Sequence, residues 1–213
     1  MDIFSYIVTA IAAYLLGSIP TGYLVAKAKG VDIRSVGSGN IGATNVFRIL
    51  GKKAGIFVLL VDALKGFLAC WLLVNLIQHF FGAESGAKEV FRIIAGVAAI
   101  LGHNYTCFLK FKGGKGIATS AGVLVALVPW ALLIVLGVWI LVFAVSRYVS
   151  LASIAAAICL PFAVWLLHSS SLMLFIAVIL ALLAIYKHKA NIQRLWNGTE
   201  NRIGKKKNAE VTK

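Results

Sequence analysis

Long apolar runs alternate with short polar and basic segments along nearly the whole chain. The apolar runs cover residues 3–26, 54–81, 90–109, 117–145, 149–167 and 172–186. A helix needs about 20 residues to cross the hydrocarbon core of a bilayer, and several of the runs reach that length. The pattern therefore predicts an all-α, polytopic integral membrane protein.

Lysine and arginine are concentrated in three of the segments between runs, and their positions predict the topology. These segments are residues 27–53, 110–115 and 187–213, which the positive-inside rule assigns to the cytoplasmic side. Loop 82–89 is then outside. The three basic segments can share one side only if the run 117–145 crosses the membrane twice.

Pro129 lies near the middle of that run and marks where it divides. The division predicts seven transmembrane helices, with the N-terminus outside and the C-terminus in the cytoplasm. It also leaves each half of the run short for a full crossing. We therefore expect the second basic segment to dip below the membrane surface and to line a polar cavity open to the cytoplasm, because non-helical backbone is tolerated at that depth only in such a place.

The composition narrows the class of protein and its partners. Hydrophobic residues make up 61% of the 213 residues, against about 45–50% in a soluble domain. The formal net charge is +14, but the basic residues lie between membrane spans, so we expect contact with lipid headgroups and no nucleic-acid partner. Seven acidic residues and three cysteines without ligand spacing predict neither a metal nor a cofactor.

We expect residues 1–213 to form a single transmembrane domain with three polar motif segments. These are 28–53, 110–119 and 187–202, and a basic tail follows at 203–213. The segments are rich in basic and amide side chains, and the first two are also rich in glycine. Exposed backbone amides and positive charge are the chemistry of phosphate binding, so the segments predict a phosphate site.

The first segment contains a Gly-x-Gly-x-x-Gly pattern that starts at Gly37. A dinucleotide site is excluded, because no strand precedes the pattern and both flanks are apolar spans. A helix over residues 43–50 would place Arg48 one turn after Thr44, where its guanidinium could hold a phosphate by two hydrogen bonds. The alternative is a solvated loop. The other residues expected to contact the phosphate are Gly39, Ser38, Asn40, Thr44 and Asn45.

The second segment reads Lys112-Gly113-Gly114-Lys115-Gly116 and leads into an apolar run at Ile117. It lacks the spacing of a Walker A loop, but its amides would lie at a helix N-terminus, where an anion is favoured. The alternative is a lysine patch facing lipid. His103 precedes this segment and is either a structural histidine or a supporting group of the site.

The third segment places His188, Asn191 and Arg194 three residues apart, with Glu200 beyond them. On a helix the first three side chains share a face. His188 could donate to a phosphate oxygen or move a proton near neutral pH. The alternative is a basic segment that only ends the last span.

Asp62 and Lys65 are three residues apart inside the second apolar run. A single charge there would be costly, so we expect the two side chains to pair or to face the cavity. Either arrangement would support the site from below.

The three segments resemble, in order and spacing, the motifs of the bacterial acyl-phosphate:glycerol-3-phosphate acyltransferases, the PlsY family. The resemblance covers Gly37–Arg48, Gly102–Thr119 and Tyr186–Glu200, together with the Asp62/Lys65 pair. One departure is Thr106, where the family usually has proline. The resemblance implies a seven-helix enzyme of the bacterial inner membrane with its active site facing the cytoplasm.

The resemblance also implies a reaction and roles for individual residues. A fatty acyl group would pass from acyl phosphate to the 1-hydroxyl of sn-glycerol 3-phosphate, giving lysophosphatidic acid and inorganic phosphate. Ser38 and Arg48 would be essential, His188 and Asn191 would assist, and Glu200 would be structural. The residues implied to hold glycerol 3-phosphate are Gly113, Gly114, Lys115 and Gly116.

An enzyme of this kind has to hold two anionic substrates side by side, and the positive charges of Arg48, Lys112 and Lys115 would offset the repulsion between them. The attacking hydroxyl would lose its proton to His188 or to a phosphate oxygen of the substrate.

Two other classes of protein remain as alternatives. An organic-phosphate or lipid transporter would also need a cationic cavity, although it usually has inverted repeats. A structural lipid-binding protein would not need glycine-rich loops.

Overall fold

The structure, a computed structural model, describes residues 3–81 and 88–204, and all regular elements in these ranges are helical. A π-helical segment, Ala69–Leu73, joins α4 to α5, and a 3₁₀ turn, Cys107–Leu109, follows α6. The α-helices are α1 (Ile3–Ser18), α2 (Thr21–Lys27), α3 (Ala43–Leu50), α4 (Lys52–Leu68), α5 (Val74–Phe81), α6 (Lys88–Asn104), α7 (Ile117–Leu127), α8 (Pro129–Ser146), α9 (Val149–Leu166), α10 (Ser171–Lys187) and α11 (Lys189–Trp196).

Five helical stretches of the described ranges are long and apolar enough to cross a membrane. A sixth is added if α10 and α11, which meet at an angle of 57°, are taken together. The all-α membrane class is therefore confirmed. Most of loop 82–89 and of the basic tail 203–213 lies outside the described residues.

The division of the run 117–145 at Pro129 is confirmed. α7 ends at Leu127, and Pro129 is the first residue of α8, where a missing amide proton costs nothing. The expectation that both halves would be short is wrong for the second half. α7 has 11 residues, but α8 extends to Ser146 and has 18, which is close to a full span.

The first span breaks at Pro20, and two side chains from elsewhere in the bundle satisfy the carbonyl groups released there. The hydroxyl of Thr106 donates to the carbonyl oxygen of Ser18 at 2.6 Å, and the ammonium group of Lys65 donates to that of Ile19 at 2.9 Å. Thr106 has a φ of −62°, the value that a proline ring imposes, so the backbone suits either residue. In this chain the threonine adds a hydrogen bond that proline could not make.

Two helix pairs approach closely because glycine faces a neighbouring backbone in each. In the α1–α6 pair, a Cβ on Gly17 would overlap the backbone of Ala99, and one on Gly102 would overlap the carbonyl oxygen of Tyr14. In the α4–α7 pair, a Cβ on Gly66 would overlap the carbonyl oxygen of Thr119. Small residues at such crossings let membrane helices pack backbone to backbone.

Gly122 offers a test of this packing, since its position faces the carbonyl oxygen of Ala63 across the α4–α7 contact. Gly122→Val is expected to separate the two helices and to destabilise the protein by about 1–3 kcal/mol, as overpacking does. Thermal unfolding in detergent measures the loss. Gly137→Val on α8 is the matched control, because nothing lies within 4 Å of its added Cβ. Equal melting temperatures for the two variants would contradict this packing.

Candidate active site

One cavity of about 480 Å³ brings the three polar motif segments together at its upper end. Its lower end lies among α7, α8, α9 and α10 and is lined almost wholly by apolar side chains. The upper end is lined by Ser38, Asn40, Thr44, Arg48, Lys115 and His188, among others. The cavity is therefore amphipathic, with cationic and hydrogen-bonding groups at one end and hydrocarbon at the other.

The loop of the first motif is organised by Asn45, whose side chain is buried. Its amide oxygen accepts a hydrogen bond from the backbone amide of Ser38 at 2.9 Å. Its amide nitrogen lies within 3.2 Å of three backbone carbonyl oxygens, those of Ile33, Val36 and Asn40. These bonds fix Ser38 at the cavity. Asn45 also lines the cavity, and its contact with a phosphate stays a prediction.

The start of α3 points into the upper end of the cavity. Gly42 and Thr44 line it, and the side chain of Asn40 accepts from the amide of Gly42 at 2.8 Å. A helix does cover residues 43–50, and it brings the half-buried Arg48 to the cavity wall. Burial lowers the pKa of Arg48, but a guanidinium stays protonated at any physiological pH. Gly39, with a φ of 70°, makes the turn of the loop and does not line the cavity.

The second motif contributes to the cavity through Lys115 and Gly116. The amides of Gly113 and Gly114 instead donate to the carbonyl oxygens of Asn104 and His103, at 3.2 and 2.9 Å. These bonds hold the loop against the end of α6. The loop can lie so close because glycine has no Cβ, and a Cβ on either residue would overlap residue 103 or 104. The first amides of α7 have no partner within the helix, and Gly116, Ile117 and Ala118 line the cavity where the helix begins, as an anion site requires.

Lys112 was predicted to contact a phosphate, but it is exposed and does not line the cavity. The chain turns sharply before it, since Lys110 and Phe111 both have left-handed backbone angles. The turn leaves Lys112 on the protein surface. Of the two lysines of this motif, Lys115 alone lines the cavity.

A chain of hydrogen bonds connects the second motif to the third. Lys115 donates to the side-chain oxygen of Asn191, whose amide nitrogen donates to Glu200 at 2.8 Å. Glu200 also accepts from Arg194 at 2.7 Å and from the hydroxyl of Ser150 at 2.9 Å. Burial raises the pKa of Glu200, but the hydrogen bonds from Asn191, Arg194 and Ser150 outweigh it and keep the pKa below its ordinary value. The ionised carboxylate of Glu200 therefore anchors this series of hydrogen bonds.

Burial lowers the pKa of Lys115 to about 8, and the neighbouring positive charges of Arg194, Arg48 and Lys187 lower it further, whereas Glu200 opposes the shift. The ammonium group is thus charged at neutral pH and loses its proton in mildly alkaline solution.

His188 lies directly after α10 and is buried. Its Nδ1 lies 2.8 Å from the carbonyl oxygen of Ala184, which can only accept, so Nδ1 carries the proton and Nε2 has a free lone pair. Burial and the charge of Lys115 lower the pKa of His188 to about 4. A neutral imidazole therefore lines the cavity at physiological pH.

The predicted pairing of Asp62 and Lys65 is confirmed below the upper end of the cavity. The carboxylate lies 2.8 Å from the ammonium group of Lys65 and 3.6 Å from Nδ1 of His103, and all three side chains are buried. Thr21 donates to the same carboxylate at 3.1 Å. Asp62 and His103 line the cavity, whereas Lys65 is directed at the break in the first span.

The sequence pattern missed Ser150 and Thr21, which hold the two buried carboxylates. Both residues lie in or beside apolar runs, where a hydroxyl carries no signal of its own. Their alignment with Glu200 and Asp62 depends on helix packing across the bundle.

The family model described as glycerol-3-phosphate acyltransferase matches residues 7–198, most of the chain. The chain belongs to this family. A glycerol-3-phosphate acyltransferase of Geotalea daltonii is 50% identical over 197 residues, which are 92% of this chain and 97% of the relative. The enzyme of the same name from Fusobacterium nucleatum is 45% identical and covers 95% of this chain and 99% of its own.

Two solved structures of PlsY (YgiH), an integral membrane glycerol 3-phosphate acyltransferase, are similar to this chain throughout. The glycerol 3-phosphate form has a TM-score of 0.84 at 46% identity and covers 94% of this chain and 96% of its own. The lysophosphatidic acid form has a TM-score of 0.82 at 45% identity, with the same coverage. As a glycerol-3-phosphate acyltransferase family member, this chain therefore shares the family's fold over nearly its full length.

Proposed function

We propose that this protein is a membrane acyltransferase of phospholipid synthesis. It moves a fatty acyl group from acyl phosphate to the 1-hydroxyl of sn-glycerol 3-phosphate and produces lysophosphatidic acid and inorganic phosphate. The observation that carries the proposal is a cavity with a cationic end and an apolar end, which fits an amphipathic phosphate. The solved relatives support it, because one is a glycerol 3-phosphate form and the other a lysophosphatidic acid form.

The cationic end is suited to holding two phosphates at once. Arg48 and Lys115 supply positive charge, and the starts of α3 and α7 supply backbone amides and the positive ends of two helix dipoles. An acyl phosphate is already activated, so the protein needs to align the two substrates and to stabilise the leaving phosphate. Ser38, fixed by Asn45, adds a hydroxyl beside these groups.

The attacking hydroxyl has to lose a proton, and Nε2 of the neutral His188 is an acceptor within the cavity. A phosphate oxygen of the substrate is the other acceptor. His188→Gln keeps a polar side chain but removes the base. A fall in kcat with an unchanged KM for glycerol 3-phosphate would identify His188 as the acceptor, and an unchanged kcat would identify the substrate.

The proposed topology has seven crossings, with α7 counted as a short one, the N-terminus outside and the C-terminus in the cytoplasm. The protein would lie in the bacterial inner membrane with the cationic end facing the cytoplasm. The distribution of lysine and arginine supports this orientation, because the three basic segments surround the cationic end. Fusions to alkaline phosphatase, which is active only outside the cytoplasm, after residues 50, 146 and 196 test it. Phosphatase activity at any of these sites would contradict the cytoplasmic location proposed for that site.

The function is tested by mixing purified protein in lipid with acyl phosphate and glycerol 3-phosphate, without acyl-CoA or acyl carrier protein. Phosphate and lysophosphatidic acid are expected in equal amounts and only when glycerol 3-phosphate is present. Ser38→Ala and Arg48→Ala are expected to lose both products. No turnover by well-folded protein would refute the acyl-phosphate reaction and favour the transporter, which uptake of labelled glycerol 3-phosphate into vesicles would detect.

Lys115 predicts how substrate binding depends on pH. Its pKa of about 8 means that its charge is complete below that value and is lost above it. The KM for glycerol 3-phosphate is therefore expected to rise about fivefold from pH 8 to pH 9, as one proton leaves. Lys115→Arg, which stays charged, is expected to flatten this rise. The same alkaline rise in Lys115→Arg would assign it to another group.

A further inference from the structure

The lower end of the cavity has a repeated pattern of side-chain sizes on the helices that surround it. Between the upper end and the floor, α9 lines the cavity with Ser150, Ser153, Ala156 and Ala157, and α10 lines it with Ala184 and Ala181. On α7 the corresponding residues are Ala118, Ser120 and Ala121. Each of these helices thus leaves open space along the cavity wall.

On each helix this series ends at a leucine, which is the lining residue farthest from the motif segments. α8 runs from the far side toward the upper end, and its deepest lining residue is also a leucine. The four residues are Leu124 of α7, Leu132 of α8, Leu160 of α9 and Leu180 of α10. They belong to one hydrophobic cluster, in which Leu124, Leu160 and Leu180 are buried.

Three of the four leucines lie at similar depths, and Leu132 lies deeper. Leu124 is eight residues beyond Gly116, or about 12 Å along α7, and Leu132 is 14 residues before Ser146, or about 21 Å along α8. Leu160 is ten residues beyond Ser150, which contacts Glu200, so it lies about 15 Å along α9 at the rise of an α-helix. Leu180 is eight residues before His188, or about 12 Å along α10. The four leucines are the deepest lining residues of their helices and belong to one hydrophobic cluster, so together they form an apolar floor.

We propose that this leucine floor, formed by Leu124, Leu132, Leu160 and Leu180, sets the longest acyl chain that the cavity accepts whole. The inference rests on the proposed acyl-transfer function. The walls above the floor are braced, because the indole of Trp139 on α8 donates to the hydroxyl of Ser153 on α9 at 3.2 Å. A chain that fits between cationic end and floor buries all its methylene groups, and a longer chain leaves some of them unburied.

A second route for the chain exists on the side between α4 and α8. Leu59, Leu60 and Leu136 line the cavity there and are 47%, 62% and 44% exposed. A chain that left by this side would pass into lipid and would not reach the floor. The floor route predicts that substitutions at the floor change the preferred chain length, and the side route predicts that they leave it unchanged.

The test compares turnover of a series of saturated acyl phosphates, from lauroyl to stearoyl in steps of two carbons. Leu160→Ala and Leu180→Ala are expected to move the optimum toward longer chains by about two methylene groups, the length that each substitution removes from the floor. Ala157→Leu fills the wall above the floor and is expected to move the optimum toward shorter chains. Leu160→Val is a milder variant for use if the alanine variants fold poorly.

Leu182→Ala is the matched control, since Leu182 lies on α10, is 62% exposed and does not line the cavity. Its chain-length profile is expected to equal that of the wild type. Unchanged profiles in active floor and wall variants would overturn the inference and assign the chain to the side route. Absence of turnover with every acyl phosphate, in the wild type as well, would instead refute the proposed function. The inference about the floor, which rests on that function, would then be refuted too.

Discussion

Arg48→Ala is expected to lower kcat/KM for acyl transfer by about two to three orders of magnitude, the usual cost of removing a preorganised group that stabilises developing negative charge. Arg48 is half-buried at the cationic end, and its guanidinium is held by the carbonyl oxygen of Asn201 at 3.3 Å. Helix α3 brings it to the same end of the cavity as the first residues of α3 and α7. The measurement is phosphate release at saturating acyl phosphate with varied glycerol 3-phosphate.

Two comparisons make the Arg48 experiment specific. Arg48→Lys keeps the charge but loses the planar pair of donors, so it is expected to recover only part of the activity. Arg34→Ala removes an arginine of the same segment that is exposed and paired with Asp32 outside the cavity. It is expected to retain wild-type kinetics. A similar loss in Arg34→Ala would mean that the net charge of the surface, and not the cavity, controls the rate.

Lys65→Met is expected to destabilise the protein by about 3–5 kcal/mol, because it leaves the carboxylate of Asp62 buried without its cation. It also removes the donor to the carbonyl oxygen of Ile19 at the break in the first span. The two losses affect the same region, where α1 and α2 meet α4. Thermal unfolding in lipid nanodiscs measures the change.

The double variant Asp62→Leu/Lys65→Met separates the cost of the unpaired charge from the cost of the lost carbonyl bond. It is expected to recover much of the stability, since no buried charge remains. Arg34→Met, which breaks the exposed pair with Asp32, is the control and is expected to change stability little, because solvent already screens that pair. A double variant no more stable than Lys65→Met would show that the bond to Ile19 carries the effect.

Much of this molecule can be predicted from its sequence, because a bilayer imposes strong rules on composition. The apolar runs, the break at Pro129 and the Asp62–Lys65 pair all follow from the cost of exposing polar groups to lipid. The convergence of the three motif segments was also expected, from their common side and from their resemblance to known motifs.

Other features depend on packing that local patterns do not encode. Lys112 and Lys115 are three residues apart in a glycine-rich loop, yet two left-handed residues before the first direct it to the surface. Asn45 has the same donors as a phosphate ligand, but the fold around it presents three carbonyl oxygens to them. The positions of Lys112 and Asn45 therefore depend on tertiary contacts that cannot be predicted from the residue type alone.

The hydrogen-bonded chain around Glu200 has a consequence for the order in which the site is assembled during synthesis. Glu200 follows α10 in the chain, yet it anchors Asn191 and Arg194, and the next residue's carbonyl oxygen holds Arg48, 153 residues earlier. A ribosome delivers the cations of the first two motif segments long before this anchor emerges. The half-made protein therefore lacks these contacts, and the site is complete only after α11 and Glu200 have been synthesised.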